Sequence, residues 1–134
     1  MSDESSAHAA YVEALFDVKA PDGTATLSVG YSGVDLPSSL RGRRLAVITA
    51  YNPGPARPGE ASNRRANQRL REAIEAAGWT HWPAVGRSPS GDHAEPSFAV
   101  LDISADHASD LGVRFDQACV FYWDGVQGRL VWCT

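Results

Sequence analysis

Side chains that can bind a polar ligand are concentrated in three separated stretches of the sequence. Tyr51 and Asn52 follow a β-branched apolar run, and Asn63 and Asn67 lie on the inward side of the helix predicted next. An unpaired buried amide costs about 1–3 kcal/mol, so the two helix asparagines either bond the strand-to-helix loop and fix it, or contact a ligand. Residues 87–97 supply further polar groups. The predicted ligand-binding residues are Tyr51, Asn52, Asn63, Asn67, Arg87, Glu95 and Ser97.

The stretch 87–97 also contains groups suited to proton transfer. It combines an imidazole, two carboxylates and several hydroxyls, and either Glu95 or His93 can serve as a general base. Serine, histidine and aspartate occur together here, but the GxSxG turn that presents a nucleophilic serine is missing from the sequence. The candidate catalytic residues are therefore the two proton-transfer groups, Glu95 and His93.

No signature of a cofactor or metal site is found in the sequence. The loop that follows the buried strand carries Pro53, Pro55 and Pro58, which have no N–H to offer a phosphate, and neither the P-loop pattern nor GxGxxG occurs. CxxC and HxxxH are also missing, and the four histidines are scattered. We therefore predict no cofactor and no metal.

The two cysteines lie near the end of the chain. If the last loop comprises residues 124–128, Cys119 lies directly opposite Cys133 in a hairpin. That position allows either a strained disulfide or two reduced core thiols.

Charge is distributed unevenly along the chain. The net charge is −4, yet residues 41–71 hold eight arginines against one acid, Glu60, which gives that segment +7 and the remainder −11. Such a distribution favours an anionic ligand near the arginine-rich helix, or it reflects a solvated helix face. The acidic total weighs against non-specific binding of duplex nucleic acid, which requires many phosphate contacts.

The hydrophobic pattern predicts an α+β protein. Short apolar or β-branched runs indicate about five to seven strands in a mixed, mostly antiparallel sheet, and the run 45–50 is typical of a strand buried on both faces. Two helices, 62–77 and 104–115, are predicted to pack on this sheet. Ser62 and Ser104 are the expected N-caps, and Gly78 is the expected residue after the first helix.

The length of 134 residues fits one domain, which we expect over residues 7–134 after a disordered tail at 1–6. The N-terminal residues are acidic and polar, unlike a secretory signal, and the apolar runs are too short to cross a membrane. The sequence therefore predicts a cytoplasmic protein without a membrane partner.

Ordered blocks of residues resemble the bacterial domain-of-unknown-function family DUF3293. The blocks are 49–53, then Asn63 with Leu70 and Gly78, then 83–87 and 95–98. The resemblance covers about residues 11–132. It departs from the family at Ser62, where an acidic residue is usual, and at 93–94, where an aromatic residue is more common. The resemblance implies a bacterial, stand-alone cytosolic domain, and it supplies no activity.

Three functional hypotheses are compatible with the sequence. The leading one is a small binding or regulatory domain that holds an unknown small molecule or protein at the strand-to-helix crossover. The alternative is a small enzyme acting on a nucleotide or nucleic acid, with Glu95 or His93 as general base and the arginine-rich helix collecting phosphates. A third hypothesis is a purely protein-binding component of a phage-defence or toxin system.

Overall fold

Seven β-strands and two long helices account for most of the described chain. The computed structural model describes residues 11–31, 35–53 and 58–133. The strands are β1 (Leu15–Ala20), β2 (Gly23–Ser28), β3 (Leu45–Ile48), β4 (His81–Arg87), β5 (Ala94–Leu101), β6 (Cys119–Trp123) and β7 (Gly128–Trp132). The helices are α1 (Glu60–Ala76) and α2 (Ala105–Arg114). This arrangement confirms the predicted α+β class.

All seven strands belong to one strongly curled sheet. Their order is β2-β1-β4-β5-β3-β6-β7, and every pairing between these strands is antiparallel. The two edge strands approach each other, because a parallel bridge joins Val29 to Gly128 and the Gly30 N–H donates to the Gly128 carbonyl at 2.9 Å. The sheet is therefore almost closed at this end.

The curl gives the sheet an inner and an outer face, and both are covered. Alternate residues of each strand point to opposite faces, so β3 contributes to two cores and is buried along its whole length, as predicted. Both helices pack on the outer face. The inner core consists mainly of Val18, Leu27, Leu40, Leu45, Val47, Leu101, Phe121 and Trp123, and the outer core of Ile48, Leu70, Ile74, Val100, Ile103, Leu111, Val120 and Tyr122.

The first helix begins two residues before the predicted start. Gly59 is its N-cap, without a side-chain cap, and the Gly59 carbonyl accepts from the Asn63 N–H at 3.1 Å. The prediction of Ser62 as N-cap is wrong, because Ser62 already lies inside the first turn. Its hydroxyl instead accepts from the Arg65 side chain at 3.1 Å.

The other predicted helix boundaries are confirmed. Gly78 follows α1 with φ of +81°, and the N–H groups of Gly78 and Trp79 bond back to the carbonyls of Glu75 and Ile74. The Ser104 hydroxyl caps α2 by accepting from the His107 N–H at 3.1 Å.

The last hairpin differs by one residue from the predicted register. Trp123 pairs with Gly128, and Cys119 pairs with Trp132, because Asp124 Oδ1 accepts from two loop N–H groups and closes a four-residue connection. A one-residue slip reverses the face to which a side chain points, so the expected juxtaposition of Cys119 with Cys133 is wrong. Both thiols are free, and burial raises the pKa of Cys119 to about 12.

Some predictions concern residues that the structure does not describe. The tail at 1–6 lies outside the described residues. Among the helices of the described ranges, none combines the length and apolar character needed to span a bilayer.

Candidate functional site

The connection from β3 to α1 is fixed to the sheet by Asn67. This side chain is 8% exposed; its Oδ1 accepts from the Ala50 N–H at 2.8 Å, and its Nδ2 donates to the Pro96 carbonyl at 3.0 Å. Thr49 Oγ1 donates to the same carbonyl at 2.8 Å. One amide on α1 therefore holds the end of β3 against the start of β5.

Asn63, one helical turn earlier, holds the next part of the connection. Its Oδ1 accepts from the Asn52 N–H at 2.9 Å, and its Nδ2 donates to Asn52 Oδ1 at 3.2 Å. Asn52 has φ of +48°, in the left-handed region that asparagine tolerates better than most residues. The two inward asparagines thus bond the strand-to-helix loop, which was one of the alternatives drawn from the sequence.

The side chain of Asn52 links this loop to a carboxylate on β5. Asn52 Nδ2 donates to Glu95 Oε2 at 2.8 Å, and His93 Nε2 lies 3.3 Å from the same oxygen. The Glu95 side chain is 21% exposed and that of His93 is 57% exposed. We call Tyr51, Asn52, Asn63, Asn67, His93 and Glu95 the crossover cluster.

Tyr51 connects the cluster to the first residue of α1. Its hydroxyl donates to Glu60 Oε2 at 2.7 Å, and burial together with Glu60 raises the pKa of Tyr51. Its carbonyl accepts from Gln117 Nε2 at 3.2 Å. Sequence reasoning missed both Glu60 and Gln117. The position of Glu60 at the start of the helix after Tyr51 could have indicated their contact. Nothing in the local sequence indicates the contact with Gln117, which lies 66 residues after Tyr51 in the chain.

Ser97 lies beside the crossover cluster, and its side chain makes a hydrogen bond to the backbone at the start of β5. It is buried, and its hydroxyl donates to the Glu95 carbonyl at 3.0 Å. Ser97 points to the inner face of the sheet, because it shares a strand face with Ala99 of the inner core.

Arg87 lies on the other face of the sheet from Glu95. Gly86 is the cross-strand partner of Glu95, so the next residue along β4 points to the opposite side. There the guanidinium binds Asp17 of β1, with Nε 2.7 Å from Oδ2 and a terminal nitrogen 3.4 Å from Oδ1. Among the described residues, Asp17 is the only hydrogen-bond partner of the Arg87 side chain. The structure thus brings together the other predicted site residues but not Arg87.

The Asp17–Arg87 pair makes stability depend on pH. The hydrogen bond from Arg87, and after it that from Thr26, holds the pKa of Asp17 below its ordinary value of 3.8. The contribution of the ionised Asp17 to the free energy of unfolding is therefore complete above pH 3.8. It is lost as the pH falls through the lower pKa that Asp17 has in the folded state. We expect Asp17→Asn to be less stable than the wild type at neutral pH and to lose less stability on acidification.

Urea denaturation at pH 7 and at pH 3 measures this difference. Arg87→Gln serves as the matched variant from the other side of the pair and is expected to flatten the acid dependence in the same way. An unchanged acid dependence in both variants would refute the linkage.

The arginines of residues 41–71 are divided between separate parts of the fold. Arg43, just before β3, pairs with Asp102 at 2.7 Å. Arg64, Arg65, Arg69 and Arg71 are exposed on α1, and Arg57 lies outside the described residues.

Within the described ranges, no three histidine, cysteine or acidic side chains form a group able to hold a metal ion.

Comparison with known proteins identifies the family. A family model described as a protein of unknown function, DUF3293, matches residues 48–120, more than half of the chain. The matched stretch runs from the end of β3 into β6 and contains the whole crossover cluster. No curated protein and no solved structure matches the chain. The chain therefore belongs to the DUF3293 family.

Proposed function

We propose that the protein is a small binding or regulatory domain whose site is the exposed end of the crossover cluster, formed by His93 and Glu95. The observation that carries this proposal is the asymmetry of the Glu95 carboxylate. Its Oε2 is held by Asn52 and His93, whereas no described residue makes a hydrogen bond to its Oε1. A carboxylate oriented on one side and partly exposed is suited to accept hydrogen bonds from a ligand.

The remainder of the cluster supplies rigidity. Asn52 is held through both its N–H and its Oδ1 by Asn63, and Asn63 is itself 5% exposed on α1. Affinity increases when a site need not be ordered on binding. The expected ligand donates hydrogen bonds, as an amine, an amidine or the amino group of a nucleobase does.

Replacement of Glu95 by glutamine tests the proposal. A glutamine oxygen can still accept from Asn52, so we expect the fold to be retained while ligand affinity falls by about tenfold or more, as for loss of a charged hydrogen-bond partner. The measurement is an NMR titration of ¹⁵N-labelled protein with adenosine and guanosine nucleotides, spermidine and free amino acids, following the amides of Asn52, His93 and Glu95.

Asp106→Asn on α2 is the matched control, because it removes one carboxylate at an exposed position. Ligand-induced shifts that map away from the cluster, or equal affinity of wild type and Glu95→Gln, would contradict the proposal.

The contact between His93 and Glu95 also supports the second candidate function, an enzyme that acts on a nucleotide or nucleic acid. A carboxylate 3.3 Å from an imidazole nitrogen can orient the ring so that its other nitrogen acts as a base. Product analysis after incubation with nucleotides and RNA separates the two candidates. Turnover that disappears in both His93→Ala and Glu95→Gln would favour the enzyme, and ligand binding without turnover would favour the binding domain.

A further inference from the structure

The first three turns of α1 present a cluster of exposed positive charge. Arg64, Arg65, Arg69 and Arg71 are all exposed, and residues 61–71 contain no acid. The apolar side of the helix is buried against the sheet, where Leu70 and Ile74 are fully covered. We call the four arginines the arginine face. By the helical period, Arg65 and Arg69 lie on the side of α1 opposite Asn63 and Asn67, and Arg64 and Arg71 lie on the flank between the two sides.

Most of these guanidinium groups are not neutralised by the protein. Among the described residues, the one ion pair of the arginine face joins Arg71 Nε to Glu75 Oε2 at 3.4 Å. Arg65 donates to the Ser62 hydroxyl, which carries no charge. Arg64 and Arg69 make no hydrogen bond or ion pair with any described residue. At least three full positive charges are thus available to an outside partner.

Helix stability does not explain this arrangement. Acidic residues near the start of a helix and basic residues near its end are favourable, each by about 0.3–1 kcal/mol. In α1 the arginines lie in the first three turns, the last turn contains no basic residue, and Glu72 and Glu75 lie toward the C-terminal end. Arg65 and Arg69 are also like charges four residues apart, a spacing that is unfavourable.

We propose that the arginine face binds the phosphate backbone of single-stranded nucleic acid. The guanidinium group matches a phosphate in geometry and can donate two hydrogen bonds to it. This inference concerns a surface outside the crossover cluster and does not depend on the function proposed for that cluster.

Two other kinds of partner fit the arginine face less well. Binding to a membrane surface requires large apolar side chains on the basic helix, and here these are buried beneath it. A stable protein interface requires a central apolar or aromatic patch, whereas the exposed residues of 60–76 are charged or polar apart from alanines. Phosphate binding requires neither feature.

The size of the arginine face favours a single strand over a duplex. Arg64 and Arg71 are seven residues apart, which corresponds to about 10 Å along the helix axis. Proteins that bind duplex DNA through its backbone often make about 6–10 phosphate contacts, and four arginines supply fewer. The rest of the chain carries −8 when these four are set aside from the net −4, so it repels a stiff and highly charged duplex. A flexible strand can follow the small basic surface.

Fluorescence anisotropy with a labelled oligouridylate tests the proposal over a series of NaCl concentrations. Four phosphate contacts to a single strand predict a slope of log K against log salt of about −3. The double variant Arg65→Gln and Arg69→Gln should bind about tenfold more weakly at low salt, with the slope reduced in size by about 1.4. Its thermal unfolding midpoint should not fall, because both changes remove charges that are unfavourable at their positions in the helix.

The double variant Arg114→Gln and Arg129→Gln is the matched control. Both residues are exposed and distant from α1 in the chain, and this variant reaches the same net charge of −6. It should retain the wild-type affinity and slope. Equal weakening in both double variants, or no binding of the oligouridylate, would overturn the proposal. Tighter binding of the matching duplex or of polyglutamate would likewise overturn it.

Discussion

Replacement of Gly128 by alanine should destabilise the protein by about 3 kcal/mol, at the upper end of the cost of overpacking a core. A Cβ at this position would overlap the carbonyl oxygen of Ser28 on the opposite edge strand and lie 2.5 Å from Cζ of Phe121. Neither group can yield easily. The first is backbone at the point where the edges meet, and the second is a buried ring stacked on Phe16 at 4.3 Å. The added methyl group therefore forces β2 and β7 apart.

Urea denaturation of the purified variant measures this loss directly. Gly59→Ala is the matched control, because a Cβ there meets no atom within 4 Å, and we expect a loss of no more than about 1 kcal/mol, the cost of alanine at an N-cap. A Gly128→Ala variant as stable as the wild type would show that the edge strands are not in contact in solution.

Removal of the Asn67 side chain is the second change with a large expected effect. Asn67→Ala should cost about 2–4 kcal/mol, because it leaves the buried N–H of Ala50 without its partner and removes a donor to Pro96. The loss should also loosen the loop that carries Asn52. We therefore expect faster hydrogen exchange at the amides of Ala50 and Asn52 in this variant.

Gln68→Ala, the neighbouring exposed position on α1, controls for the loss of an amide side chain. A change within about 0.5 kcal/mol is expected there. Were Asn67→Ala to lose no more stability than Gln68→Ala, the role of Asn67 in fixing the crossover would be disproved.

The crossover shows how far spacing alone could predict the site. The helical period placed Asn63 and Asn67 on the inward side of α1, and the cost of an unpaired buried amide required partners for them. Their partners could not be predicted, because the N–H groups of Ala50 and Asn52 become available only through the path of a loop. The polar stretch 87–97 marks Glu95 as a candidate, but its bond to Asn52 depends on how β5 lies beside β3.

Arg87 shows why residue type and proximity in sequence were insufficient. Arg87 and Glu95 both belong to the polar stretch 87–97, and this proximity in sequence led to the prediction that they share one site. They lie on paired strands on either side of one turn. Strands alternate their side chains with a period of two, so the register that sets Gly86 opposite Glu95 sends the guanidinium to Asp17. The same dependence on register separated Cys119 from its expected partner.

The sequence by itself determined the local features of this protein. The buried strand β3, the apolar side of α1, the cap at Ser104 and the turn at Gly78 all follow from residues close together in the chain, whose spacing fixes which hydrogen bonds and faces are available. Tertiary structure alone decided the closure of the sheet at Gly128, the contact of Tyr51 with Glu60 and the face to which Arg87 points. These depend on the packing of segments that are distant in sequence, where a shift of one residue changes every neighbour.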